Sequence, residues 1–185
     1  MWEFKKEAIC PQDVKSVKRY PEYKGYYKVK YNLAYVQEPS TILEIGVRAG
    51  YSAYSFLSAC PDAKYTGIDA ENGTHGGQGG PWMWWAKELL EDYDTTFIEA
   101  DSQKMHRIDG GPFDFIHIDG DHTKEGLLHD LKICWPVLAE GGVIIVDDYD
   151  YIKTVKEGVD EFANLPGVVK KYVKSLRGEI IFSKK

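Results

Sequence analysis

The feature of this sequence that most constrains its fold is a short apolar segment that runs into a glycine-containing turn. The segment Thr41-Ile-Leu-Glu-Ile-Gly-Val-Arg-Ala-Gly50 predicts a buried strand, a tight turn and a helix that begins at Tyr51-Ser52. Glycine has no Cβ, so such a turn lets a ligand approach the backbone, and the helix start adds unpaired N–H groups. The next apolar run ends in Asp69, 19 residues after the last glycine. This spacing is typical of strand–helix–strand units whose second strand ends in a carboxylate that binds ribose hydroxyls.

The turn departs from the dinucleotide-binding pattern Gly-x-Gly-x-x-Gly. Its spacing, Glu44-x-Gly46-x-x-x-Gly50, resembles motif I of the S-adenosylmethionine (SAM) methyltransferases of the Rossmann-like class. The alternative is a glycine turn that only packs a helix onto a sheet. The resemblance implies that Asp69 binds the ribose and that Glu44 orients the methionine ammonium. It also implies cofactor contacts from Gly46, Gly50, Tyr51 and Ser52.

Apolar runs alternate with helical patterns along the rest of the chain. The runs lack strict polar alternation, which is typical of a parallel sheet covered on both faces. Strands are predicted at 42–45, 65–68, 96–98, 113–118 and 143–146, and helices at 51–59 and 81–93.

The second half of the chain carries three further signals. Helical spacing of Leu127, Leu131, Cys134 and Leu138 predicts a helix that ends at Gly141-Gly142. The apolar runs 168–176 and 179–182 flank Arg177-Gly178 and predict a hairpin. The resemblance therefore implies an α/β fold. Its sheet would be seven-stranded, mostly parallel and Rossmann-like, with helices on both faces and an antiparallel C-terminal hairpin.

The length of 185 residues predicts one compact domain. Within it, residues 41–185 form the expected methyltransferase domain, and residues 1–40 are expected to form a helical cap. Many tyrosines between residues 15 and 35 favour either an ordinary cap or a lid over an acceptor pocket. The glycine-rich segment 71–80 and the tryptophans that follow it are expected to form a hinge and clamp over the cofactor or acceptor, and packing alone is the alternative.

Acidic residues crowd the ends of the fourth and fifth predicted strands. Asp119 ends one strand, and the pair Asp147-Asp148 ends the other. Adjacent parallel strands end at the same sheet edge, where three carboxylates would repel one another. A divalent cation removes this repulsion, and oxygen ligands favour Mg²⁺, Mn²⁺ or Ca²⁺. These acids are therefore predicted metal ligands, with Mg²⁺ as the first expectation, and the alternative is a set of loop acids without metal.

These residues resemble those of the metal-dependent small-molecule O-methyltransferases. Asp119 and the pair Asp147-Asp148 match the positions of the metal ligands in catechol O-methyltransferases. The run Ile118-Asp-Gly-Asp-His-Thr-Lys-Glu125 is similar to a motif of macrolide and aminocoumarin sugar O-methyltransferases and of cephalosporin-tailoring relatives. The resemblance implies a catalytic base at Asp121 from the sugar enzymes, or at His122 from the catechol enzymes. Both stay open.

The third predicted strand leads to Asp101-Ser102-Gln103. In the resembled fold this position meets the adenine amino group, so Asp101 and Ser102 are predicted cofactor contacts, and a plain surface turn is the alternative. Asp119 is an expected cofactor contact as well as a predicted metal ligand.

The composition limits which classes of binding partner to expect. A net charge of −6 argues against nucleic acid or an anionic membrane as a partner. The three cysteines lack Cys-x-x-Cys spacing, and the N-terminus lacks the apolar core of a signal peptide, so a cytoplasmic location is expected. The resembled families commonly form homo-oligomers, which stays open for this chain.

The sequence thus predicts an enzyme that transfers a methyl group from SAM to a hydroxyl oxygen of a small molecule, assisted by a divalent cation. One alternative is a nucleotide- or NAD-dependent α/β enzyme, which the missing Gly-x-Gly-x-x-Gly pattern disfavours. The other is a SAM-binding module without turnover, which the full set of acids disfavours.

Overall fold

The computed structural model describes residues 2–71 and 81–185, which build a seven-stranded mixed sheet with helices on both faces. The strand order is β3-β2-β1-β4-β5-β7-β6. Strands β1 to β5 run parallel, and β7 pairs antiparallel with both β5 and β6. The strands are β1 (Thr41–Ile45), β2 (Lys64–Asp69), β3 (Thr95–Glu99), β4 (Phe113–Ile118), β5 (Leu138–Val146), β6 (Val168–Val173) and β7 (Glu179–Lys184).

Two layers of helices cover the sheet. Helices α2 and α3 pack on one face, and helices α5 and α6 pack on the other. The helices are α1 (Val14–Lys18), α2 (Tyr20–Gln37), α3 (Tyr51–Ala59), α4 (Met83–Leu89), α5 (Lys124–Cys134) and α6 (Lys153–Phe162). No helix among the residues described is long and apolar enough to cross a membrane.

The continuous apolar runs of the central strands follow from this double cover. Along β1, Leu43 and Ile45 pack on the side of α5 and α6, while Ile42 packs on the side of α2 and α3. All three side chains are buried. Glu44 points to the same side as Ile42, because side chains alternate along a strand. The predicted Rossmann-like methyltransferase fold, with its antiparallel C-terminal hairpin, is confirmed.

Two predicted helices have wrong bounds. Helix α4 spans Met83–Leu89 instead of residues 81–93. Helix α5 ends at Cys134, and a 3-10 turn over Trp135–Val137 separates it from β5. Leu138 therefore begins a strand, and the glycine pair after Glu140 lies inside that strand instead of ending the helix. Pro136 explains the difference, since proline has no N–H to continue a helix.

The N-terminal segment packs through aromatic side chains. Phe4 stacks on Tyr27 with ring centroids 4.3 Å apart, and Trp2 stacks on Tyr31 at 4.5 Å. These contacts hold residues 2–10 against the outer side of α2 and the start of α3. Residues 2–10 are thus tied to the sheet through α2, and the action of the tyrosine-rich residues 15–35 as a lid stays a prediction.

Candidate active site

A cavity of about 200 Å³ lies at the C-terminal ends of β1 to β4, which is where open α/β sheets bind ligands. Tyrosines at the start of α2 close one side of it, and Arg177, from the turn between β6 and β7, reaches into it. Many sequence-predicted residues line this one cavity: Gly46, Tyr51, Ser52, Asp69, Asp101, Ser102, Asp119, Asp121 and His122.

The two glycines of the turn lie in close contact with neighbouring elements of the protein, which was the alternative to ligand approach. Gly46 has a φ of +90°, and a Cβ placed there would lie 2.1 Å from the carbonyl oxygen of Asp119. A Cβ on Gly50 would lie 2.8 Å from the Cβ of Ala86 in α4. Both glycines therefore let neighbouring elements approach, and Gly46 also faces the cavity.

Asp69 is held in place at the cavity edge by two backbone groups. Its Oδ2 accepts the N–H of Arg48 at 2.7 Å, and its Oδ1 accepts the N–H of Glu71 at 2.7 Å. Each carboxylate oxygen has a second lone pair. The carboxylate can thus accept two more hydrogen bonds, as a ribose diol requires.

Asp101 and Ser102 follow β3 in a 3-10 turn over Ser102–Lys104. Asp101 Oδ1 accepts the N–H of Gln103 at 3.1 Å, and the Gln103 amide donates to Asp130 of α5 at 2.9 Å. The turn is therefore fixed against α5, with Asp101 and Ser102 on the cavity side.

Three side chains converge into one group, which we call the acidic cluster: Asp119 and His122, which line the cavity, and Asp148, which does not. His122 Nε2 lies 3.1 Å from Asp119 Oδ1 and 3.6 Å from Asp148 Oδ2. Asp148 is buried and has a φ of +62°, which is uncommon outside glycine. Arg177 Nη1 donates to the other oxygen of Asp148 at 3.2 Å.

The charges in the acidic cluster depend on one another. Burial alone would lower the pKa of His122, but its hydrogen bond with Asp119 and the nearby charge of Asp148 raise that pKa to about 9. Burial and the negative charges of Asp119 and Asp147 raise the pKa of Asp148 to about 7. At neutral pH the imidazolium of His122 and the guanidinium of Arg177 are therefore the cations beside the carboxylates of this cluster.

Asp147, the third predicted metal ligand, is not brought together with Asp119 and Asp148. Its Oδ1 accepts the N–H of Asp148 at 2.8 Å, and its Oδ2 accepts from Lys30 Nζ at 3.1 Å. The hydroxyl of Tyr26 also donates to that second oxygen. The structure places His122 beside the two carboxylates instead, and metal binding by Asp147 stays a prediction.

Asp147 belongs to a buried polar network under the cavity, which the sequence did not reveal. Lys30 Nζ contacts His117 Nε2 at 3.0 Å, Asp147 Oδ2 at 3.1 Å and Glu179 Oε1 at 3.3 Å. His117 Nδ1 lies 2.8 Å from Glu44 Oε1. An ammonium has only donors. His117 therefore accepts at Nε2 and donates its Nδ1–H to Glu44.

The ionisation of the network follows from its burial. Burial opposes the charge on Lys30, but the carboxylates of Asp147 and Glu179 raise its pKa above the ordinary value. Burial raises the pKa of Glu179 to about 8. Burial and the Lys30 charge lower the pKa of His117. Lys30 and Asp147 are thus the ion pair, and the other members stay largely neutral at pH 7.

Glu44 lies in this network rather than in the cavity wall. Tyr65 donates to its Oε2 at 2.5 Å, its other oxygen contacts His117, and the residue is 1% exposed. Burial raises the pKa of Glu44 to about 8. The structure therefore shows no direct path from Glu44 to a methionine ammonium, and that role stays a prediction.

The two candidate bases have different surroundings. Asp121 Oδ1 accepts the N–H of Thr123 at 2.7 Å, just before α5 begins. His122 lies in the acidic cluster instead. Both line the cavity. The geometry thus separates a carboxylate at a helix start from an imidazole that already bridges two carboxylates.

Two arginines of the cavity wall were not predicted as site residues. Arg48 forms an ion pair with Asp13 at 2.6 Å, and Tyr51 donates to the same Asp13 oxygen at 3.2 Å. Arg48 lies inside the glycine motif, between Gly46 and Gly50, so its position in the sequence was a usable signal. Arg177 lies in a predicted turn away from that motif, where the sequence offered no such signal. The predicted hinge at 71–80 lies outside the described residues, apart from Glu71.

Comparison with solved structures shows many proteins with this fold. TomG, an O-methyltransferase from Streptomyces achromogenes in complex with SAM, aligns with a TM-score of 0.69 and 16% identity over 96% of this chain and 91% of its own. The SAH-bound methyltransferase PaMTH1 from Podospora anserina gives 0.72 and 16%, over 97% and 84%. An O-methyltransferase from Bacillus cereus in complex with SAH gives 0.66 and 18%, over 94% and 90%.

Sequence comparison identifies the family. No curated protein sequence matches this chain. The profile of the family described as "Methyltransferase domain" matches residues 43–149. That range runs from β1 through the acidic cluster, and it includes the glycine turn, Asp69 and Asp119. The resemblance stated from the sequence is thereby confirmed, and the chain belongs to this family of methyltransferase domains.

Proposed function

We propose that this protein transfers a methyl group from SAM to a hydroxyl oxygen of a small molecule, with a divalent cation at the acidic cluster. One observation carries the proposal. A single cavity is lined by the glycine turn, Asp69 and Asp101 together with Asp119 and His122. A cofactor bound against the first three would therefore lie beside the carboxylate and imidazole groups of the last two.

The neighbouring structures support the choice of cofactor and reaction. TomG is described with SAM, and the Bacillus cereus protein with SAH, and both are called O-methyltransferases. Each covers at least 94% of this chain, so the cavity lies within the shared fold. The cavity volume of about 200 Å³ supports a small acceptor, and the net charge of −6 disfavours nucleic acid.

The acidic cluster fits a divalent cation by its donors and their spacing. Donors around an ion with bonds of about 2.1 Å lie roughly 3 Å apart, close to the 3.1 and 3.6 Å from His122 Nε2 to the two carboxylates. Asp119, His122 and Asp148 would hold the ion. Carboxylates suit Mg²⁺ and Mn²⁺, and the imidazole shifts the preference towards Mn²⁺. A bound cation would lower the pKa of an acceptor hydroxyl and orient it.

The protein's own residues supply binding and proton transfer. Asp69 would accept both ribose hydroxyls, since its two oxygens are already fixed by backbone N–H groups. With His122 in the cation-binding group, Asp121 is the candidate that remains to take the acceptor proton. SAM brings its own electrophile, so the remaining task of the site is alignment.

The test is methyl transfer from [methyl-³H]SAM to a panel of catechols and glycosides, with and without EDTA. We expect transfer to at least one acceptor class, loss of transfer in EDTA, and recovery with Mn²⁺ or Mg²⁺. Asp148→Asn should resist this recovery, and Asp62→Asn, at an exposed site before β2, should behave as the parent. Full transfer in EDTA would refute the role of the cation, and transfer to none of the panel would refute the acceptor class.

A further inference from the structure

Lys30 is the buried charged residue whose position the proposed chemistry does not explain. It lies in α2, and its side chain is 0% exposed. An ammonium has three N–H donors, and all three have a partner: His117, Asp147 and Glu179. Burial of such a group is costly unless every donor is paired, and this one is fully paired.

The three partners lie on, or directly after, three different strands. His117 is in β4, Asp147 directly follows β5, and Glu179 is the first residue of β7. Lys30 therefore ties together the strand ends at one edge of the sheet. Strand pairing alone fixes β4 against β5 and β5 against β7, but it does not fix the loops that follow those strands.

Each partner of Lys30 is close in sequence to a residue of the acidic cluster or its arginine. Asp119 comes two residues after His117, Asp148 comes one after Asp147, and Arg177 comes two before Glu179. The link is direct at Asp147, whose Oδ1 accepts the N–H of Asp148 at 2.8 Å while Lys30 holds the other oxygen.

We propose that Lys30 is a positioning residue of the active site: it holds Asp147, and through it the uncommon backbone conformation of Asp148, so that Asp148 faces Asp119 and Arg177. Tyr26, four residues earlier on α2, donates to the same oxygen of Asp147 and is the second part of this support. Helix α2 is thus part of the structure that supports the acidic cluster. This inference rests on the proposed function only for the identity of the ion.

The experiment compares Lys30→Met, Tyr26→Phe and the parent by Mn²⁺ titration, by SAH titration and by hydrogen exchange of the Asp148 amide in NMR. Tyr20→Phe is the matched control, because it removes a hydroxyl from the same helix that donates to the carbonyl oxygen of Phe4, and Tyr20 is not among the residues that line the cavity. If Lys30→Met does not fold, Tyr26→Phe decides the question.

We expect Lys30→Met to weaken Mn²⁺ binding about 10- to 100-fold, as loss of a group that orients a ligand does. Tyr26→Phe should change binding in the same direction by about tenfold. The Asp148 amide should exchange faster in both variants. SAH affinity should stay within about threefold of the parent, since the glycine turn, Asp69 and Asp101 lie at the ends of β1, β2 and β3, which carry none of the three Lys30 partners. Tyr20→Phe should change none of these values.

Unchanged Mn²⁺ affinity and unchanged Asp148 exchange in the folded variants would overturn the inference. Equal losses of SAH and Mn²⁺ affinity would also overturn it, because they would indicate general destabilisation. If the parent binds no Mn²⁺, the cation in the proposed function is refuted, and the exchange rate of the Asp148 amide alone decides the role of Lys30.

Discussion

Substitution of Gly46 by alanine tests how the motif turn joins the two halves of the cavity. The residue has a φ of +90°, and its Cβ would lie 2.1 Å from the Asp119 carbonyl oxygen and 2.5 Å from the carbonyl carbon. The left-handed backbone costs an alanine about 1–2 kcal/mol. Relief of the clash requires a backbone shift, which adds about 1–3 kcal/mol. We therefore expect Gly46→Ala to lower the free energy of unfolding by roughly 2–5 kcal/mol.

Gly167→Ala separates the two contributions. Gly167 has a φ of +80°, and a Cβ there would meet nothing within 4 Å. It should therefore show only the backbone cost of about 1–2 kcal/mol. Urea unfolding of both variants measures the difference in their free energies of unfolding, and SAH titration measures the effect of each substitution on binding in the cavity.

Only Gly46→Ala should weaken SAH binding, by about tenfold or more, because the shift separates β1 from Asp119. Equal destabilisation of the two variants, with equal SAH affinity, would refute the close contact between the turn and Asp119.

Two further predictions concern protons and ligands. Burial raises the pKa of Glu44 from 4.5 to about 8, so its contribution to stability is complete below about pH 4.5 and is lost as the pH rises towards 8. Glu44→Gln mimics the neutral carboxyl, so the free energy of unfolding of this variant should fall less between about pH 5 and 8 than that of the parent. Identical pH slopes for the two proteins in urea unfolding would contradict this. His122→Gln should weaken Mn²⁺ binding about tenfold or more, whereas Asp121→Asn should leave it within about threefold. If a Mn²⁺ titration showed the larger loss for Asp121→Asn, Asp121 would be the cation ligand and His122 the candidate base.

The elements that the sequence predicted well are those bounded by strong local signals. The apolar run before Gly46 and the fourth strand, Phe113–Ile118, each appear in the structure with bounds within a residue of those predicted. The end of α5 was missed because Leu138 fits both a helical spacing and a strand. Its side chain is 3% exposed, so it was rightly assigned to the core, and only Pro136 indicated the change of element.

The candidate site was predictable where it depends on strand ends. Asp69 and Asp119 line one cavity because parallel strands end at the same edge. The orientation of Asp147 was not predictable, since its partner Lys30 lies 117 residues earlier in the chain. The tyrosine-rich segment that carries Lys30 suggested a lid, and no local pattern indicated that its lysine enters the core.

Calorimetric titration with SAH tests the central claim most directly, because that claim is a SAM site formed by the glycine turn and Asp69. We expect the parent to bind SAH and not NAD⁺. Asp69→Ala should lose about 2–4 kcal/mol, or roughly 30-fold or more in affinity, and Asp62→Ala should bind as the parent does. Absence of SAH binding, binding of NAD⁺ in its place, or an Asp69→Ala affinity within about threefold of the parent would contradict the account.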